Sequence, residues 1–179
     1  MQDSSQTITT DRPEPGRDWL DIRSKLDLYG FAVDALRWDL FEQIFAGNSL
    51  FVRHADNSAY TSLAAFVEAF DRVHRRFDRT RHSMTNAVID IADSQARSLT
   101  YGQWRLIKDG SPGGDIWRSE GWYEDEWTRG PDGWRIVRRQ SWELWGEGNC
   151  AIIGTDPEQF AQRCRPLASS TFARSIGAG

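Results

Sequence analysis

The chain has 179 residues, of which 39% are hydrophobic and 12% aromatic, and 26 acidic residues against 22 Lys and Arg give it a formal net charge of −4. This length suffices for one domain with a sizeable core, and the composition excludes a basic nucleic-acid binder and a disordered acidic tail. No segment reaches the roughly 18 to 20 consecutive apolar residues of a membrane span, and the N-terminus lacks the pattern of an export signal. We therefore expect no nucleic-acid partner, no membrane partner and a cytoplasmic location, which two isolated cysteines also favour.

The first half of the chain predicts helices. Residues 1–16 are polar and aperiodic, and we expect a flexible N-terminal arm there. Apolar residues at three- and four-residue steps then predict helical structure from Asp18, its N-cap, to Gly47. Residues 50–52 predict a short strand, and residues 61–77 predict a second amphipathic helix.

The second half predicts an antiparallel sheet, because turn signals separate four long segments rich in aromatic and β-branched residues: 80–91, 95–108, 115–129 and 133–145. Strands this long must bend, so Gly102 and Gly121 are interpreted as bulges or kinks. Helices followed by such a meander indicate an α+β fold, in which the N-terminal helices pack over the concave face of a strongly curved sheet and enclose a cone. A tail follows at 151–179, with a short helix predicted over 156–164.

Asp34 and His82 are the first candidates for acid–base chemistry. Asp34 shares a helical column with apolar neighbours, where its pKa should rise unless a cation or a hydrogen bond reaches it; it could also be a helix cap or a solvated carboxylate. His82 alternates with Asn86 and other residues on one face of a strand, and its imidazole could exchange protons near neutral pH or be structural. His54, in a polar loop, and His74, among arginines, have weaker cases.

Further candidates lie on the predicted sheet. Arg138 and Arg139 are neighbours, so one of them must face the packed side, where it could stabilise an oxyanion or form a salt bridge with a strand glutamate. The aromatic residues are either core, an oligomer interface or the lining of a pocket for a flat hydrophobic substrate. The candidates for substrate binding are Trp38, Tyr101, Trp104, Tyr123 and Trp127.

The sequence has no metal-ligand spacing and no phosphate-binding loop, so we expect neither a metal nor another cofactor. Trp122 on the charged face of the predicted sheet indicates a homo-oligomer, either a dimer or a trimer.

Three segments together carry a resemblance to a known family: AVDALRWDLFEQIF, TRHSMTNAVIDI and GWYEDEWTRGPDGWRIVRR. They resemble the SnoaL-like, scytalone dehydratase-like branch of the nuclear transport factor 2-like (NTF2-like) superfamily, which also includes bile-acid dehydratase and hexachlorocyclohexane dehydrochlorinase. The resemblance implies a cone-shaped α+β barrel over 17–150 and an Asp–His dyad at Asp34 and His82. It also implies an active-site tyrosine at Tyr29, an active-site arginine at Arg139, and Asn86 as a residue that orients a substrate oxygen.

These observations together predict a cofactor-independent lyase for a small hydrophobic molecule, aromatic or polycyclic. His82, kept basic by Asp34, removes a proton, and Tyr29 or Arg139 stabilises the departing group during dehydration, another elimination or release of formaldehyde. The alternatives are an isomerase or cyclase, a non-catalytic subunit that resembles a ring-hydroxylating dioxygenase β chain, and a small-molecule binding protein.

Overall fold

The computed structural model describes residues 15–47 and 49–175, and these form a mixed α+β fold. Of the predicted N-terminal arm, only Pro15 and Gly16 lie within the described residues, and they begin the first helix. The helices are α1 (Pro15–Asp34), α2 (Leu63–His74), α3 (Pro157–Arg163) and α4 (Thr171–Ser175). The strands are β1 (Phe51–Arg53), β2 (Ala59–Tyr60), β3 (Arg79–Ala92), β4 (Gln95–Ile107), β5 (Ile116–Gly130) and β6 (Gly133–Gly148).

The strands form a single sheet in the order β2-β1-β6-β5-β4-β3. All neighbours are antiparallel except β1 and β6, which run parallel with Val52 opposite Arg139. The predicted α+β fold and the four long strands are thereby confirmed. The curved sheet does not close into a barrel, because β2 and β3 remain as its two edges.

Bulges bend the long strands and change which residues face the core. One register shift lies at Glu120/Gly121, but its extra residue is Leu144 of β6, so this bulge lies opposite Gly121 and the prediction of a bulge at Gly121 itself is wrong. Gly102 pairs in regular register with Met84 and Gly121, so the prediction of a bulge there is wrong. A bulge is instead present in β3, at Asn86, whose φ is 41°.

Helix α1 packs its apolar face on the concave side of the sheet and forms the main core. Each large side chain buried there contributes roughly 1.5–3 kcal/mol. Asp18 lies inside α1, so its predicted role as N-cap is wrong; its carboxylate instead accepts a hydrogen bond from Trp134 Nε1 at 2.9 Å. The core includes Ile22, Leu26, Tyr29 and Val33 of α1 and Tyr123, Trp127, Trp134 and Ile136 of the sheet.

The two helices of the C-terminal segment lie in different places: α3 packs against Trp117 beside the cavity, and α4 packs on the convex side of the sheet. The predicted helix over 156–164 is present as α3, with Asp156 as its N-cap. Beyond it, Phe172 of α4 packs against Trp122, which is only 1% exposed. The exposed Trp122 from which we predicted an oligomer is therefore buried by the chain's own tail. Across residues 15–47 and 49–175, no helix has the length and apolar character to cross a membrane.

Candidate active site

The end of α1 meets the start of β3 at Asp34 and His82. His82 Nδ1 lies 2.7 Å from Asp34 Oδ1, and the backbone N–H of His82 donates to Asp34 Oδ2 at 2.7 Å. The hydroxyl of Thr80 donates to Oδ1 at 2.8 Å. Because a carboxylate only accepts hydrogen bonds, Nδ1 carries the proton in this contact, and the neutral imidazole has its lone pair on Nε2.

The dyad is shielded from bulk water on the histidine side. The His82 side chain is 5% exposed and that of Asp34 is 24% exposed, so water screens their contact less than it would on an open surface. Burial on its own would raise the pKa of Asp34, but the hydrogen bonds and charge of His82, with the hydroxyl of Thr80, lower it below its ordinary value. The raised pKa considered from sequence therefore does not apply, and Asp34 stays ionised.

Gly30 permits this contact between helix and strand. A Cβ atom at Gly30 would lie 2.7 Å from the backbone oxygen of His82, well inside van der Waals contact. The absence of a side chain at this position lets α1 approach β3 closely enough for Asp34 to reach His82.

The dyad opens onto a cavity of about 260 Å³ between α2, the sheet and the tail. His82 lines this cavity with Nδ1 engaged by Asp34, which leaves Nε2 as the nitrogen available to a ligand; among the described residues, Nε2 has no hydrogen-bond partner. Aromatic side chains form much of the wall: Tyr29, Phe70, Phe77, Trp104, Trp117 and Tyr123. The polar and charged side chains of the wall are those of His54, Asp56, His74, Arg76, Ser119, Ser141, Glu143 and Arg163.

Tyr29, for which the family resemblance implies an active-site role, lines the same cavity as His82. Its ring packs edge-on against Tyr123 at 5.6 Å between centroids. Burial raises the pKa of Tyr29, although the positive charge of Arg139 opposes this effect, so the phenol stays protonated at neutral pH. Trp104 Nε1 donates to the hydroxyl of Tyr123 at 2.8 Å, so two of the predicted substrate-binding residues are fixed in the wall.

Arg139 lies behind the wall instead of lining the cavity. Its Nε and Nη2 donate to the two carboxylate oxygens of Asp125 at 2.7 and 2.8 Å, and both side chains are fully buried. Burial alone would lower the pKa of Arg139, but the Asp125 carboxylate raises it above its usual value. The guanidinium stacks on the rings of Tyr29 and Tyr123, at 4.3 and 4.4 Å from their centroids. Its charge is therefore already neutralised, and it supports the wall.

Four other predicted site residues are not brought to the cavity. Asn86 is exposed, because the bulge at this position reverses the alternation that would have placed it beside His82. Tyr101 lies on the convex side, in the cluster covered by the tail. Trp127 is core and donates to Ser98, while Trp38 donates to Asp71 behind the cavity wall.

Three cavity residues were missed or underrated from sequence. His74 is buried, with Nδ1 2.8 Å from the backbone oxygen of Phe70 and its ring 5.5 Å from that of His82. Its spacing from Phe70 and Phe77 placed it on the apolar face of α2, which was the available signal. His54 carried no such signal, because its position depends on the pairing of β1 with β6. Glu143 shares a strand face with Arg139, so alternation along β6 could have identified it.

Comparisons with known proteins agree with this fold. The model of the SnoaL-like domain family matches residues 17–140. The Kfla4162 protein from Kribbella flavida is 20% identical, with 78% of this chain and 99% of that chain covered at a TM-score of 0.71. A candidate scytalone dehydratase from Novosphingobium aromaticivorans is 16% identical, with 74% and 88% covered at a TM-score of 0.67.

An NTF2-like superfamily protein from Salmonella enterica serovar Typhimurium is 15% identical, with 72% of this chain and 92% of that chain covered at a TM-score of 0.65. No curated protein matches the sequence. The family match covers more than half of the chain, so the chain belongs to the SnoaL-like domain family, and these structural neighbours share its fold.

Proposed function

We propose that this protein is a cofactor-independent lyase that eliminates a small group, such as water or formaldehyde, from a compact hydrophobic molecule. The observation that carries the proposal is the imidazole of His82, held by Asp34 through Nδ1 and open through Nε2 to a cavity with aromatic walls. Family membership supports it, since a small-molecule cavity is the common feature of this fold.

His82 acts as the general base in this proposal. Nε2 takes a proton from the substrate, and the resulting imidazolium is stabilised by the carboxylate of Asp34 at 2.7 Å. Because three hydrogen bonds hold Asp34, the imidazole keeps one tautomer and one orientation through the reaction. A positioned base of this kind contributes roughly 10²–10⁴-fold to the rate.

Tyr29 stabilises negative charge that develops on a substrate oxygen. Its protonated hydroxyl lines the same cavity and can donate a hydrogen bond there. Arg139 acts through Tyr29 as a positioning residue, since its guanidinium lies against the ring and not in the cavity. The sequence left open whether Tyr29 or Arg139 stabilises the departing group, and this proposal assigns that role to Tyr29.

The cavity restricts the substrate by size and by chemistry. A volume of about 260 Å³ is slightly below the range of typical ligand pockets, which is roughly 300–1,000 Å³. Its aromatic walls favour a flat apolar body, and its polar side chains sit where hydroxyl or carbonyl groups could be fixed. We therefore propose a compact aromatic or fused-ring alcohol as the substrate class.

The proposal is tested by incubation of the protein with a panel of such alcohols and detection of product by mass. Loss of the mass of water or formaldehyde supports a lyase, whereas a rearranged product of unchanged mass indicates an isomerase or cyclase. For any panel member that the protein converts to product, we expect His82→Ala to lower kcat by roughly 10²–10⁴-fold. Asp34→Asn should lower it in the same direction, because the amide cannot stabilise the imidazolium.

The matched control is Asp27→Asn, which changes an exposed carboxylate on the same helix that pairs with Arg23. It should leave kcat within about twofold of the unmodified protein, since exposed pairs contribute little. Full turnover by folded His82→Ala or Asp34→Asn protein would reject the dyad. No chemical change with any panel member, together with ligand binding, would favour a binding protein.

A further inference from the structure

Glu143 places a second proton-carrying group in the cavity. It lies on the inner face of β6, whereas His82 lies on β3, and strands β5 and β4 separate the two. Its carboxylate oxygen Oε2 is buried and has no hydrogen-bond partner within the described residues. A buried, unpaired carboxylate oxygen is costly, so this environment favours the neutral carboxyl group.

We propose that Glu143 is the general acid that protonates the leaving group in this elimination. This inference rests on the proposed function, which did not assign a residue to the protonation of the leaving group. It follows from the position of the carboxyl group in the cavity and from the lack of a hydrogen-bond partner for Oε2 among the described residues.

The surroundings of Glu143 are consistent with a neutral acid. Ser119 faces it from β5, Arg163 from α3 and Asp56 from the segment between β1 and β2. Burial raises the pKa of Glu143 to about 7, although the charge of Arg163 and hydrogen bonding by Ser119 act in the opposite direction. A carboxyl group in this range is partly protonated at neutral pH, which suits a proton donor.

The acid and the base reach the cavity from different strands of the sheet. Strand neighbours lie about 4.8 Å apart, so three spacings separate β3 from β6, and side chains on the concave face converge from the two sides. Both side chains line the same cavity, so one bound molecule can contact both, as an elimination across two neighbouring carbon atoms requires.

The reaction balances with these two residues alone. His82 Nε2 takes a proton from carbon, and the electrons of that C–H bond form the new C=C bond. The C–O bond breaks with its electron pair on oxygen, and the proton of Glu143 converts the departing oxygen to water. Transfer of the proton from the His82 imidazolium to the Glu143 carboxylate, through solvent, restores both residues.

The first experiment compares two substrates that differ only in their leaving group, an alcohol and the corresponding bromide. Glu143→Gln keeps the shape of the side chain and removes the acid. We expect a loss of at least about 10²-fold in kcat for the alcohol and less than about tenfold for the bromide, because bromide departs without a proton. His82→Ala should lower both rates. If Glu143→Gln lowers kcat equally for the alcohol and for the bromide, the proposal is overturned.

The second experiment needs no substrate, so it separates failure of this inference from failure of the lyase proposal. In protein labelled with ¹³C at the glutamate carboxyl carbon, the resonance missing in Glu143→Gln should titrate with a midpoint about 7. The control is Glu126→Gln, which removes an exposed carboxylate of β5 paired with Arg138. If the resonance of Glu143 titrates near the ordinary value of 4.5, Glu143 is not the acid, whatever the turnover.

Discussion

At the scale of single residues, a buried ion pair shapes the cavity wall. The Arg139 guanidinium is held by both oxygens of Asp125 and covers the rings of Tyr29 and Tyr123. Its third nitrogen, Nη1, is buried without a hydrogen-bond partner among the described residues. A buried pair of this kind adds little net stability, but the loss of one partner leaves the other charge uncompensated.

We therefore predict that Arg139→Met lowers the free energy of unfolding by about 3–5 kcal/mol, because Asp125 is left buried and unpaired. Urea denaturation followed by tryptophan fluorescence measures the change. Arg138→Met is the matched control, since the neighbouring arginine is exposed and its pair with Glu126 should contribute less than about 1 kcal/mol. The double variant Asp125→Leu with Arg139→Met should recover most of the lost stability. Equal effects of the two single arginine variants would contradict this interpretation.

At the scale of elements, the dyad depends on the distance between α1 and β3. Asp34 is the last residue of α1 and bonds two residues of β3, so a small shift of the helix breaks several hydrogen bonds together. Gly30, one turn earlier, sets how close the two elements come. Helix packing at this point therefore determines whether Asp34 and His82 stay in contact.

Gly30→Ala should lower both stability and turnover, because the new methyl group would lie 2.7 Å from the backbone oxygen of His82 and must push the helix away. We expect a loss of about 1–3 kcal/mol in the free energy of unfolding. The downfield proton resonance of His82 Nδ1–H, visible when it donates to Asp34, should shift or disappear. Gly16→Ala on the same helix meets no atom within 4 Å and should be neutral or stabilising by up to about 1 kcal/mol. A stable Gly30→Ala variant with an unchanged resonance would refute this account of the helix contact.

The strands and the dyad could be predicted from the sequence, whereas the surroundings of several aromatic and polar residues could not. Long alternating strands and clear turn signals located the sheet, and Asp34 and His82 stood out because a carboxylate and an imidazole interrupted apolar patterns. Asn86 was misplaced because one bulge residue reverses the alternation along β3. The surroundings of Tyr101 and Trp122 were predicted wrongly because α4 packs on the convex face, and no local sequence pattern predicts that contact.

At the scale of the whole molecule, the cavity keeps two histidines neutral. Burial lowers the pKa of His54 to about 4, partly offset by Asp56, and burial together with the charge of His82 lowers that of His74 to about 4. Both take up a proton near pH 6.5 when the chain unfolds. Their contribution to stability is therefore complete above pH 6.5 and is lost as the pH falls toward 4.

Glu143 changes the pH dependence of stability in the opposite direction. Its pKa of about 7 in the folded protein exceeds the ordinary 4.5, so the folded state holds the extra proton. Between pH 5 and 6, two histidine protons on the unfolded chain oppose one glutamate proton on the folded chain. The free energy of unfolding should therefore rise by about 1 kcal/mol per pH unit, and by about 2 in Glu143→Gln, which removes the opposing group. Urea denaturation at several pH values measures both slopes, with Glu126→Gln as the control that should match the unmodified protein. If the free energy of unfolding has the same pH slope in the unmodified protein and in Glu143→Gln, Glu143 is ionised in the folded state. If this free energy does not change with pH in either protein, His54 and His74 are accessible to protons in the cavity.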